Sequence, residues 1–243
     1  MGSLGEGVYV GGNVKHLPIS EDIRAWEARS LKEAQEGVGH GKVETGALFD
    51  KNGNPIDAYL GTEHSVAIDP KKLNAPETEG ATFTHLHPDD SFGGSLSITD
   101  IHTFARSNWG QLRATSKQGQ VYSITATENA DREGLRKWAQ SKAKLYQKNF
   151  NNAYDSALKQ ATTPLKSGAH KGKVKLVTRT NVTDPKTGER KTVKKVTYRD
   201  PMTPAQADKY ARTYAVGMFD RTLAKNLEKF GFKYVKTKGG KSR

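Results

Sequence analysis

Two histidines that flank one leucine are the residues with the clearest chemistry in this sequence. His85 and His87 lie in the short run 84–88, whose other residues are Thr, Leu and Pro. In an extended strand, alternate side chains point to the same face, so both imidazoles can reach one ion while Leu86 faces the core. Pairs of imidazole ligands are typical of zinc and related divalent metals. The spacing therefore predicts a metal site.

A carboxylate farther along the chain can complete the ligand set. Asp100 lies near the start of a predicted helix, and the chain has no cysteine that could supply a thiolate. Two histidines and one aspartate provide three protein ligands and leave the fourth tetrahedral position open for water, as catalytic zinc requires. Asp89 and Asp90, in the preceding loop, are alternative ligands. Ser97 can either cap the helix or hydrogen-bond a developing oxyanion.

These residues follow the order His-x-His-Pro, eight further residues, then Ser-x-x-Asp. This order resembles the motif of the JAMM (MPN+) metalloproteases. The segment 43–126 is similar to the JAMM-like domain of phage minor head (head morphogenesis) proteins, and it also matches them at Phe92, Ile101, Arg113-Ala114-Thr115, Gly119, Tyr122 and Ser123. Leu86 departs from the family, in which Ser, Thr or Asn is common at this position.

The resemblance implies a fold, a reaction and a setting. The fold is α/β, with a JAMM-type mixed, curved β-sheet flanked by helices. The reaction is the zinc-dependent hydrolysis of amide or isopeptide bonds in a protein or peptide substrate. In this reaction His85, His87 and Asp100 hold the metal, and Ser97 steadies the tetrahedral intermediate. The phage-like context implies capsid or portal proteins as partners and a location in the virion or the host cytoplasm.

The family also uses a glutamate from an earlier strand as the general base. Glu44 stands just after the first predicted helix and ahead of an apolar strand, where the family places this residue, and 41 positions before His85. Glu63 is a second candidate for the same role. We favour Glu44 as the base.

Hydrophobic periodicity and turn residues predict the elements that must position these side chains. Before residue 131, they predict a helix that Ser20 caps and that ends at 37–41, strands at 43–49, 56–60, 64–68, 81–85 and 121–126, and a helix at 98–107. After it, they predict helices at 130–161 and 203–230, a hairpin of 174–180 and 191–199 around a turn at 184–188, and a strand at 232–235. Residues 1–17 are rich in glycine and are predicted to form a flexible arm.

The charge is divided unevenly along the chain. Residues 1–130 hold 11 Lys+Arg and 17 Asp+Glu, a net charge of −6, whereas residues 131–243 hold 28 and 9, a net charge of +19. The asymmetry predicts two functional halves, a mildly acidic unit that carries the chemistry and a basic unit that binds a polyanion. With the resemblance, it implies a JAMM-like metal-hydrolase core at 18–130 and a basic helical and β-hairpin extension at 131–243 that packs on it. The density of positive charge favours DNA bound without sequence specificity, and an acidic protein is the alternative partner. The candidate DNA-binding residues lie along the predicted hairpin: Lys173, Lys175, Arg179, Arg190, Lys191, Lys194, Lys195 and Arg199.

Two other functions are compatible with the sequence. One is a non-catalytic, DNA-associated head morphogenesis protein that retains the fold. The other, a metal-dependent nuclease, is disfavoured because a lone His/His/Asp site lacks the paired carboxylates of two-metal phosphodiester cleavage. No signal peptide and no apolar run of the roughly 20 residues that span a bilayer is visible, so we expect no membrane partner.

Overall fold

The computed structural model describes residues 8–9, 20–88, 95–183 and 190–237. The predicted turn at 184–188, the alternative ligands Asp89 and Asp90, and all of the predicted arm except Val8 and Tyr9 lie outside the described residues. The chain divides into two compact units, the first comprising residues 1–147 and 219–243 and the second residues 148–218. The predicted boundary between residues 130 and 131 stays a prediction.

The first unit is built on a mixed β-sheet. The strands of the chain are β1 (Val8–Tyr9), β2 (Thr45–Phe49), β3 (Pro55–Leu60), β4 (Thr82–His87), β5 (Gln111–Ser116), β6 (Val121–Ala126), β7 (Val174–Thr183), β8 (Arg190–Arg199) and β9 (Phe232–Thr237). The sheet has the order β1-β9-β6-β5-β4-β2-β3, in which β4 and β5 are parallel and the other neighbours antiparallel. β4 is therefore a central strand, with a hydrogen-bonded neighbour on each side.

The described residues form four α-helices: α1 (Glu21–Glu36), α2 (Ile98–Arg106), α3 (Arg132–Thr162) and α4 (Pro204–Lys229). The side chain of Ser20 accepts a hydrogen bond from the Ile23 N–H and so caps α1, as predicted. Gly37 ends this helix with φ of 69°, in the left-handed region that glycine adopts without strain. Within the part of the chain that the structure describes, no helix combines the length and the apolar character that a membrane span needs.

Each face of the sheet carries its own core. On one face, Ile23 of α1 clusters with Ala47 and Phe49 of β2. The opposite face carries the larger core, to which α2 and the first-unit parts of α3 and α4 contribute; it includes Leu48, Phe83, Ile101, Phe104, Trp109, Leu112, Ile124, Leu135, Leu223 and Phe232. The α/β class, with a mixed sheet flanked by helices, is confirmed. The JAMM-type curvature stays a prediction.

The third predicted strand, at 64–68, is wrong. The structure has no strand in these described residues, and the chain turns there instead, with the Thr62 N–H donating to the Ser65 carbonyl at 2.7 Å. Val66 and Ile68 nevertheless pack against the larger core as partly buried side chains. The alternation of apolar residues therefore reflects a loop that lies on the core, because burial of alternate side chains does not by itself require a strand.

The second unit contains the predicted cationic hairpin. β7 pairs antiparallel with β8 from Val174 opposite Arg199 to Thr183 opposite Arg190. Val174 and Leu176 are buried in a small cluster with Ala161 of α3 and Ala207 of α4. One face of the ribbon therefore packs on helical residues of the same unit.

A buried ion pair ties α1 to the centre of the sheet in the first unit. Nε and Nη2 of Arg113 on β5 donate to the two carboxylate oxygens of Glu27, at 2.7 and 3.0 Å. The hydroxyl of Thr84, the residue before the first histidine, donates to the same carboxylate at 2.7 Å. The Glu27 and Arg113 side chains are only 10% and 7% exposed. A buried ion pair with two parallel hydrogen bonds holds β5 in a fixed position relative to α1.

Removing the carboxylate of this pair leaves a buried guanidinium without its counter-charge. We therefore expect Glu27→Ala to lower the free energy of unfolding by about 3–5 kcal/mol, in urea titrations followed by circular dichroism. The matched control is Glu133→Ala, which breaks an exposed ion pair with Arg136 and should leave the midpoint nearly unchanged because water screens such pairs. Equal effects of the two substitutions would contradict the prediction.

Candidate metal centre

β4 points both histidines into the larger core. His85 is fully buried and His87 is 8% exposed, while Leu86, between them, is 1% exposed on the opposite face of the strand. The predicted alternation is therefore confirmed, and Leu86 is part of the core. Because β4 is paired on both sides, its backbone cannot shift easily, and the two rings keep a fixed relation to each other.

The small residue Gly46 makes room for the ring of Phe83, which packs against the first histidine. Gly46 lies directly opposite His85 in the pairing of β2 with β4. A Cβ atom on Gly46 would lie 2.6 Å from Cζ of Phe83. The Phe83 ring stacks on the His85 imidazole, with centroids 5.6 Å apart and planes inclined by 18°. The glycine therefore allows an aromatic ring to lie flat against the imidazole and fix its orientation.

The three predicted ligands converge. Nε2 of His85 lies 2.9 Å from Nε2 of His87. Nε2 of His85 lies 3.5 Å from Oδ1 of Asp100, and Nε2 of His87 lies 3.8 Å from Oδ2. Metal–ligand bonds of about 2.0–2.1 Å in a tetrahedron place the donor atoms roughly 3.3–3.4 Å apart. The observed separations lie on either side of this value, and one potential ligand atom from each of the three residues lies within 4.8 Å of the others, so the three residues can hold one ion. The geometry suits a divalent metal with nitrogen and oxygen ligands.

A capping box fixes Asp100 at the start of α2. Its backbone N–H donates to Oγ of Ser97 at 3.1 Å, and its Oδ2 accepts the Ser97 backbone N–H at 2.7 Å. The N–H groups of Ser97 and Asp100, which have no acceptor within the helix, thereby each gain a hydrogen-bond partner. Ser97 is therefore the N-cap of α2, and its accepting role leaves the hydroxyl proton available to a second partner. The predicted oxyanion role of Ser97 stays a prediction.

Electrostatic attraction reinforces the convergence. Burial lowers the pKa of His85, but the Asp100 carboxylate, with smaller effects from Glu44 and the Arg113 backbone carbonyl, outweighs it and raises that pKa. Burial raises the pKa of Asp100, yet the two imidazoles and the Ser97 N–H bring it well below its usual range. Asp100 is thus a carboxylate at neutral pH, and the site attracts positive charge, whether a proton or a metal ion.

Glu44 is the glutamate that the fold brings to the site. It directly precedes β2 and bonds to the loop after β3: its N–H donates to the Thr62 carbonyl at 2.6 Å, and its own carbonyl accepts the Gly61 N–H at 2.8 Å. Its Oε1 lies 3.9 Å from Nε2 of His87. The other candidate, Glu63, has a side chain that is 75% exposed and lies 4.0 Å from His64. Glu44, and not Glu63, therefore stands beside the predicted ligands.

The exposure of these side chains shows from which side the site is reached. Counted over side-chain atoms alone, the exposed fraction rises from 0% for His85 to 10% for His87, 14% for Glu44 and 21% for Asp100. The bottom of the site is therefore dry, whereas the carboxylates border water. Among these side chains, water therefore reaches Glu44 and Asp100 most readily.

A second group of polar side chains, which the sequence did not reveal, holds the segment that leads into α2. Oγ of Ser95 donates to Oδ1 of Asp220 on α4 at 2.5 Å, and the Tyr234 hydroxyl donates to the same atom at 3.0 Å. Nζ of Lys236 lies 3.1 Å from Oδ2. Ser95 and Asp220 are 125 residues apart, so no local pattern could pair them. Ser95 precedes Ser97 by two positions, and this anchor helps to set where the cap lies.

The predicted DNA-binding residues lie on or beside the β7–β8 ribbon. Lys173 precedes β7 and pairs with Asp200 at 2.6 Å. The described side chains of Lys175, Lys194, Lys195 and Arg199 are exposed. The side chains of Arg179, Arg190 and Lys191 lie outside the described part of the structure, although their backbone belongs to the two strands. The structure thus gathers the cations on one ribbon, as predicted.

Comparisons with known proteins give no further guidance. No protein-family profile, no curated protein and no solved structure matches this chain. The resemblance to JAMM metalloproteases therefore rests on the motif residues alone and stays a prediction.

Loss of the imidazoles should abolish metal binding. After dialysis against Zn²⁺ and removal of excess, we expect about one equivalent of metal per chain by mass spectrometry. The variant His85→Ala, His87→Ala should lose more than about 100-fold in affinity, because even changes to groups that only orient metal ligands cost 10–100-fold. His64→Ala, at a side chain that is 72% exposed, is the matched control. Equal metal content in all three proteins would exclude this centre.

Proposed function

We propose that this protein is a zinc-dependent hydrolase of amide or isopeptide bonds with a JAMM-like catalytic domain. The observation that carries the proposal is the convergence of His85, His87 and Asp100 with the carboxylate of Glu44 beside them. Three ligands, one adjacent acid and one side open to water form the minimal set for metal-assisted hydrolysis. The order of these residues in the chain agrees with the JAMM motif.

Zinc is the metal that we assign to the site. Two imidazoles and one carboxylate make a three-ligand set that zinc uses in catalytic centres, with a further position left for water or substrate. When bound, zinc supplies Lewis acidity, which polarises a carbonyl and makes water a nucleophile near neutral pH.

Glu44 is positioned to handle the protons of the reaction. Its carboxylate accepts a proton from the attacking water as the C–O bond forms, and it returns this proton to the amine nitrogen as the C–N bond breaks. The partial burial of Glu44, at 14% exposure, keeps the group close to the reacting atoms and limits competition from bulk water. The two backbone hydrogen bonds of Glu44, with Thr62 and Gly61, restrain its position and so favour a constant distance to the proposed metal ligands.

In this proposal, Ser97 contributes from the start of α2, next to Asp100 in the capping box. Its hydroxyl oxygen accepts the Asp100 N–H, so its proton can be donated to the oxygen that gains negative charge during attack. In this proposal one side chain caps the helix and also stabilises the intermediate. The cap fixes the hydroxyl in place before substrate arrives.

The substrate and the setting follow from the resemblance alone. We propose a protein or peptide substrate, since JAMM enzymes act on amide and isopeptide bonds. The likeness to phage minor head proteins suggests capsid or portal proteins as partners and a place in the virion or the host cytoplasm.

A second candidate function is a DNA-associated head morphogenesis protein that keeps the fold without catalysis. The observation in its favour is the charge of the second unit. Residues 148–218 hold 15 Lys+Arg and 5 Asp+Glu, a net charge of +10, out of +13 for the whole chain. So dense a positive charge on one unit favours contact with phosphates through counterion release.

The substitution Glu44→Gln tests catalysis separately from metal binding, because Glu44 is not one of the proposed metal ligands. We expect Glu44→Gln to keep zinc and to lower turnover of a peptide or isopeptide library by at least about 100-fold, because general-base catalysis contributes roughly 10²–10⁴-fold. The control Glu63→Gln should retain both zinc and activity. Turnover and zinc content are measured on the same preparations. Full activity in the Glu44 variant would remove this residue from the mechanism, and zinc binding without any hydrolysis by the native protein would favour the second candidate.

A further inference from the structure

The strand register divides the cationic residues of the ribbon between two faces. Residues opposite each other in an antiparallel pair share a face, and successive residues alternate. Buried Val174 and Leu176 define the inner face, which through the register also carries Arg199, Thr197 and Lys195. The outer face carries the pairs Lys175 with Tyr198, Val177 with Val196, and Arg179 with Lys194.

The outer face is chemically different from a solvated basic surface. Tyr198 and Val196 are 39% and 38% exposed and are two of the large apolar side chains that the described residues leave at the surface. They lie in one row with Lys194, and Lys175 is directly opposite Tyr198. The row thus runs from Lys194 through Val196 to Tyr198, and the exposed Lys175 lies beside Tyr198 on the neighbouring strand.

A stacked pair of rings lies at one end of this row. The imidazole of His170 lies on the ring of Tyr198 with centroids 3.7 Å apart and planes inclined by 15°. His170 is itself exposed and belongs to the segment that leads into β7. His170 covers one face of the Tyr198 ring and holds the ring in a fixed orientation, so a base would stack on the opposite face. Binding then costs less conformational entropy, because the ring is already ordered.

We propose that the outer face of the β7–β8 ribbon binds single-stranded nucleic acid, with Tyr198 stacking on an unpaired base and with Lys175 and Lys194 contacting the backbone. The inference deepens the second candidate function and is independent of the metal centre. Lys194 lies four positions along β8 from Tyr198, about 13 Å away, so the row spans several nucleotides. Single strands combine exposed bases with phosphates, the two features that this row matches.

A duplex does not match the row equally well. Its bases are stacked on each other and its backbone offers chiefly phosphates to a basic surface, so Tyr198 and Val196 would contribute little. An acidic polypeptide likewise offers carboxylates but no planar ring. Tyr198 therefore favours a single strand over a duplex or an acidic polypeptide, whereas Lys175 and Lys194 can contact the negative charges of all three.

The test uses the full-length protein and fluorescence anisotropy with labelled dT and rU oligonucleotides, a duplex of equal length, and poly-glutamate as competitor. We expect Tyr198→Ala to weaken binding to the single strands by between about 5-fold and 100-fold, in line with base stacking on an aromatic side chain, and to leave duplex binding unchanged. Tyr198→Phe, which keeps the ring, should restore the affinity. Circular dichroism verifies that each variant is folded.

Charge variants test the assignment of the face. Lys175→Ala with Lys194→Ala should lower the slope of log affinity against log salt by about 1.4, since each contact with a single strand contributes about 0.7. Lys195→Ala with Arg199→Ala removes the same charge from the inner face and should have a smaller effect. Lys32→Ala with Lys51→Ala, two exposed residues of the first unit, is the charge-matched control.

Four results would overturn the proposal: native affinity in Tyr198→Ala, the same loss for duplex and single strands, equal effects of the two faces, or competition by poly-glutamate that is as strong as competition by an unlabelled single strand. None of these measurements depends on zinc or on hydrolysis. Failure here would therefore leave the proposed hydrolase untouched, and failure of the hydrolase would leave this surface untouched.

Discussion

The close approach of two imidazole nitrogens in a dry environment is the constraint on which the first unit depends. Nε2 atoms 2.9 Å apart cannot both present lone pairs to each other without repulsion, so a cation or a shared proton must lie between or beside them. Asp100 supplies the negative charge that makes either arrangement favourable. An apolar core would avoid such a cluster, because its burial costs free energy that only pairing restores. The three side chains can therefore hold either a shared proton or a metal ion.

The scaffold holds this cluster from both faces of the sheet. On the face of the sheet that carries α1, the Glu27 carboxylate accepts hydrogen bonds from Arg113 and Thr84. These bonds connect α1 to β4, the strand that carries the histidines. In front, Asp220 holds Ser95 ahead of the capped helix. The ligands themselves need no flexibility, because a paired central strand and a helix terminus present them. Such support by neighbouring groups is what keeps metal ligands in productive orientation.

The candidate site was more predictable from the sequence than the architecture around it. His85, His87 and Asp100 were found because strand alternation and a helix start are local patterns, and the structure brings them together. Glu44 was found through family resemblance; its approach to His87 depends on the pairing of β2 with β4, which no local pattern encodes. The prediction of a strand at 64–68 was wrong because alternate side chains of a surface loop, Val66 and Ile68, pack on the core as those of a strand would. The contact of Ser95 with Asp220 could not be predicted, since it joins residues that only the tertiary fold makes neighbours.

The ligands come from two elements, a strand and the helix that follows it, and this has a consequence for folding. An ion held by His87 and Asp100 closes a loop of the chain in the same way as a covalent bridge, and so removes conformations from the unfolded ensemble. Because the sequence has no cysteine, a disulfide cannot perform this task. A metal ion bound by these residues would thus act as a reversible cross-link of the chain, which a chelator would remove and added metal would restore.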